Sequence, residues 1–98
     1  MKWPPLPRSV MGLGGPIAIV RRRRIVEVGD ECWGLWDREK RRISILASIP
    51  REHQWRTYFH ELGHAALTDS GVEELVDDKV HEALVVAIAS ARMQEMQS

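Results

Sequence analysis

The pentapeptide His60-Glu61-Leu62-Gly63-His64 constrains this 98-residue chain more than any other feature. It lies in a stretch with helical character, expected to span about residues 50–69. On an α-helix, residues four apart project from one face, one turn above each other. His60 and His64 can therefore offer two imidazole nitrogens to a single ion. Glu61 is offset from that face, so its carboxylate can reach a water on the metal without binding the metal. Two neutral ligands, an open coordination position and a general base are what metal-assisted hydrolysis requires. The bland alternative is a pair of surface histidines on an amphipathic helix, with Glu61 solvated.

The rest of the sequence narrows the setting. Ninety-eight residues make one domain with a modest core, to which a bound metal would add stability. Fourteen Lys and Arg balance fourteen Asp and Glu, which argues against a generic polyanion binder. Cys32 is the single cysteine, so no internal disulfide forms, and a reducing cytoplasm fits. The apolar segment Val10 to Val20 is too short to span a bilayer and is broken by Gly12, Gly14, Gly15 and Pro16. A cytoplasmic protein with no membrane partner is expected.

Residues 1–15, with Pro4, Pro5 and Pro7, read as an irregular arm pinned by Trp3 and Leu6. Residues 16–98 read as a single domain. Within it, Ile17 to Val28, Cys32 to Asp37 and Arg42 to Ala47 carry strand patterning. Arg21 to Arg24 fall on a bend or an exposed strand continuation; a solvated face is preferred over a nucleic-acid site. Pro50 marks the first helix, with Trp55, Phe59, Leu62 and Ala66 as its core stripe and Gly71 as its cap. Gly63 is costly inside a helix and implies close passage of a strand or substrate backbone. A second helix is expected over about residues 72–96, with Val76, Val80, Ala83, Leu84, Ala87, Ile88 and Ala91 facing inward.

Catalytic zinc keeps three protein ligands, and the pentapeptide supplies two. Leu67 and Ser70 exclude the extended metzincin spacing, and Glu73 and Glu74 look solvated. The set Asp77, Asp78, His81 and Glu82 remains. Glu82, heading an apolar run, is favoured as the third ligand because a buried carboxylate needs a partner. Asp78 would then accept an N–H from a ligand imidazole. His81 is the rival ligand, or a group that polarises a carbonyl, or a partly exposed helix histidine.

The segments Cys32 to Asp37 (CWGLWD), Gln54 to Ala65 (QWRTYFHELGHA) and Val80 to Val85 (VHEALV) resemble the small phage-type zincin metallopeptidases, relatives of the ImmA/IrrE and SprT-like groups. The resemblance implies that His60, His64 and Glu82 are zinc ligands and that Glu61 is the base. It implies a host-cell cytoplasm if the chain is phage-encoded. The expected architecture is α+β, a minimal zincin-like fold: a small, mostly antiparallel three- or four-stranded sheet against two helices. The expected activity is zinc-dependent hydrolysis of a peptide or protein substrate. The competing expectation is a non-catalytic, zinc-stabilised regulatory or DNA-associated protein.

Overall fold

Alternating side chains put Ile17 and Ile19 on one face of a strand, and Ile43 and Ile45 on the matching face of another. These four form the floor of the core in a computed structural model that describes residues 2–97. The elements are β1 (Ser9–Gly12), β2 (Gly15–Arg22), β3 (Val26–Glu27), β4 (Asp30–Glu31), β5 (Gly34–Asp37), β6 (Arg42–Leu46), α1 (Arg51–Ser70), a 3-10 turn (Val72–Glu74) and α2 (Asp78–Gln97). The main sheet runs β1-β2-β6-β5. Its outer pairs β1–β2 and β5–β6 are antiparallel hairpins, while the central pair β2–β6 is parallel. β3 and β4 form a separate two-stranded ribbon. The α+β architecture is as expected.

α1 covers the isoleucine face, and α2 packs along α1. Tyr58, Phe59 and Ala65 of α1 and Ala89 and Met93 of α2 complete the core cluster. Gly63 is where the helices meet: a Cβ there would sit 3.3 Å from Val85 Cγ1 and 3.5 Å from Val85 Cα. The neighbour that Gly63 admits is therefore the α2 backbone, not a strand or substrate. Gly34 plays the same part between β5 and α1, where an added Cβ would collide with the Thr57 methyl and lie 3.2 Å from Glu61 Cγ. Gly71 adopts the left-handed conformation at φ 79° and caps α1, its N–H donating to the Thr68 carbonyl.

Several expectations need correction. The arm over residues 1–15 is not wholly irregular, because Ser9–Gly12 pairs with β2 as an edge strand. Its first residues are pinned as foreseen: Trp55 Nε1 donates to the Pro4 carbonyl at 2.7 Å, and Trp3 and Leu6 pack against the core. The second helix begins at Asp78 rather than 72, since residues 72–74 form the short 3-10 turn. Its inward stripe is Val85, Ala89 and Met93, whereas Val80, Leu84, Val86 and Ile88 are all more than a third exposed. The run from Ala83 to Ala89 is apolar all round, so it carried no polar face to fix its phase. No described helix is long and apolar enough to cross a membrane.

Candidate metal centre

His60 and His64 lie one turn apart in the middle of α1, and their rings converge. Their Nε2 atoms are 3.2 Å apart. Glu82, on the second turn of α2, brings Oε1 to 3.1 Å from His60 Nε2 and Oε2 to 3.7 Å from His64 Nε2. A tetrahedral ion with bonds of about 2.0–2.1 Å spaces its ligand atoms about 3.3–3.4 Å apart. The triangle of two imidazole nitrogens and one carboxylate is thus already of coordination size. The group His60, Glu61 and His64 is close enough to hold a metal ion, with its ligand atoms all within 4.8 Å of one another. The two descriptions share the histidines and differ in the carboxylate. Glu82 makes the tighter triangle, which leaves Glu61 as the carboxylate beside it.

Two features of the surroundings suit an ion. The His64 ring is held below the usual histidine range, first by burial and then by the neighbouring His60, so its lone pair is available near neutral pH. Glu61 is only 8% exposed, and its Oε2 has no hydrogen-bond partner among the described residues. A buried carboxylate oxygen without a donor is expensive unless it faces a cation or water. Burial is also the main reason its pKa is pushed up to about 7, with the charges of Glu27 and Glu82 adding to it and the Trp36 backbone amide opposing. The reading of Glu82 as buried was wrong, because its side chain is 54% exposed. It meets the histidines at the rim of the site instead.

His81 Nε2 lies 2.8 Å from His64 Nδ1. If His64 Nε2 faces an ion, Nδ1 carries the ring proton and donates it to His81, which fixes tautomer and ring orientation. Asp78, expected to do this, makes no hydrogen bond to any imidazole, although it lines the same outer rim as His81 and Glu82. Glu73 is not the solvated residue its position suggested. It accepts from Thr68 Oγ1 at 3.1 Å and pairs with Arg38 at 3.2 Å. His53 lies away from the site, stacked on Trp33. The Cys32 thiol is also outside it, directed at the Ile25 carbonyl at 3.8 Å. Comparison with protein-family models, with curated proteins and with solved structures returns no match.

A cleft of about 330 Å³ opens between α1 and the free edge of the main sheet at β5. Glu61, His64 and His81 line one side, and Leu35, Trp36 and Arg38 the other. Glu27, from the β3–β4 ribbon, completes the wall. Sequence reasoning missed Glu27 as well as the Arg38–Glu73 pair. Two-residue strands carry no periodicity, and a pair 35 positions apart leaves no local signal.

Proposed function

We propose that the protein is a zinc-dependent peptidase, and that His60, His64 and Glu82 hold the ion while Glu61 is the general base. The observation that carries this reading is the coordination-sized triangle next to an unpartnered, buried carboxylate oxygen. Two imidazoles and a carboxylate are a donor set that suits zinc. When bound, such an ion would lower the pKa of a water to about 7 and polarise a carbonyl oxygen. Glu61, buried beside the ligand triangle, would take a proton from such a water and return it to the leaving amine. His81 holds the His64 ring in the tautomer that leaves Nε2 free. The outward backbone groups of β5 offer a peptide a strand to pair with.

The competing reading, a zinc-stabilised DNA-associated protein, leans on Arg21 to Arg24. Two of these are engaged: Arg22 Nε donates to Ser44 Oγ at 3.1 Å, and Arg24 pairs with Glu31 at 3.0 Å. Hydrolysis is therefore the preferred reading. In the deciding experiment, Glu61→Gln is compared with the parent protein for zinc content and for cleavage of a peptide mixture. The variant is expected to retain zinc and lose cleavage; undiminished cleavage would remove Glu61 from its role.

A further inference from the structure

Glu27 is the one acidic residue of the cleft that serves neither the proposed ion nor a neighbouring side chain. It sits on β3, in the ribbon formed by Val26 pairing with Glu31 and Glu27 with Asp30. The ribbon is fastened at its base. Ile25 is 4% exposed, its carbonyl accepts the Cys32 N–H at 3.0 Å, and Arg24 bridges to Glu31. At the far end, Val28 and Gly29 both have positive φ, 52° and 85°, the pattern of a two-residue turn that matches strand twist. The ribbon therefore projects as a tongue from a firm root, and Glu27 lies on the wall that faces Glu61 and His64.

The charge inventory of the cleft is short. Arg38 is paired with Glu73 at 3.2 Å, and His64 is turned toward His60 and Glu82. Among the described residues the Glu27 side chain makes no salt bridge or hydrogen bond, which leaves it as an unpaired carboxylate on the wall of the cleft that Glu61 also lines. Leu35 and Trp36 add apolar surface to an otherwise polar lining. A carboxylate near the apolar surface of Leu35 and Trp36 suits a side chain with a long aliphatic stem and a cationic head. Glu61 lines the same cleft, so the cleft leads to the reacting position.

We infer that Glu27 is a specificity residue that selects peptides carrying lysine or arginine at a position flanking the bond to be cut. The inference rests on the peptidase reading and deepens it. A salt bridge at the mouth of an open cleft is partly screened, so the expected preference for a basic over an uncharged residue is about three- to tenfold in kcat/KM. It should shrink as ionic strength rises.

Two measurements keep the possible failures apart. In the first, the zinc-loaded protein digests a mixture of random decapeptides and the cut products are sequenced. Lysine and arginine should be enriched at one fixed position beside the cut, the enrichment should fall toward parity in Glu27→Gln, and it should turn toward acidic residues in Glu27→Lys. In the second, fluorescence anisotropy follows labelled decapeptides, one lysine-containing and one with glutamate in its place, binding to zinc-loaded Glu61→Gln with and without Glu27→Gln. Cleavage with no basic preference, or with a preference untouched by Glu27→Gln, overturns the specificity role and leaves hydrolysis standing. Absence of cleavage together with Glu27-dependent binding of the lysine peptide overturns hydrolysis and supports the subsite. Absence of both overturns the two together.

Discussion

Glu61 shows how one side chain ties chemistry to stability. Its carboxyl is raised from an ordinary 4.5 to about 7, chiefly by burial. In the metal-free protein the folded state therefore keeps a proton that the unfolded chain has already lost between those two values. Stability falls as pH rises through that window and levels off above it, by about 3 kcal/mol at most. The sign is opposite to that of a salt-bridged carboxylate. His64, whose pKa is lowered, costs stability as pH drops below the usual histidine range, but that contribution is common to the parent and to Glu61→Gln. Urea denaturation of both proteins in chelator at pH 5 and pH 8 isolates the Glu61 part. The variant should gain on the parent by about 1–3 kcal/mol at the higher pH; a gap that does not change with pH contradicts the burial assignment. His81 gives a second test at this scale. His81→Ala should weaken zinc binding by about 10–100-fold in a chelator competition, while Asp78→Ala should leave it nearly unaltered. The reverse order of effects would return Asp78 to the supporting role.

Among the elements, α1 and its seating on β5 decide whether the site forms. Gly34 lets the Thr57 methyl and Glu61 Cγ lie against the strand. Gly34→Ala should force α1 away from β5, destabilise the protein by about 1–3 kcal/mol and reduce cleavage by moving Glu61. The clash is with the Thr57 methyl, so removing it in the double variant Gly34→Ala/Thr57→Ser should restore much of the loss. Thermal unfolding checks the stability change, and failure of the second substitution to rescue would show that the clash lies elsewhere. The elements also differ in how readable they were from the sequence. α1 was legible to within a residue at each end, because Pro50 and Gly71 punctuate it and the motif demands a helix. The phase of α2 was not, because Gly63 selects Val85 as the contact and nothing local announces that choice. β1 was hidden among prolines and glycines, and only its pairing with Ala18, Ile17 and Pro16 makes it a strand. The premise that singled out Glu82 failed: it is half exposed, yet it reaches both histidines.

At the scale of the whole molecule, the proposed ion joins α1 to α2 and therefore cross-links the helix seated on the sheet to the helix packed against it. An ion that binds only the folded state adds about 2.7 kcal/mol at a hundredfold excess over its Kd. For a domain of this size that corresponds to about 10 °C or more in Tm. Scanning calorimetry with zinc and then with chelator should show this shift in the parent and a much smaller one in His60→Ala. Equal melting in both conditions would mean that the helices are not bridged. The sheet has a consequence of its own. Its central seam joins Ile19 to Ile43 in parallel, whereas each outer hairpin pairs near neighbours in the chain. Short hairpins close within microseconds, and a contact spanning a long loop must wait for its ends to meet. Folding is thus expected to proceed as two half-sheets that ripen separately and then zip along one spine, with their fusion, not their growth, setting the pace in stopped-flow refolding.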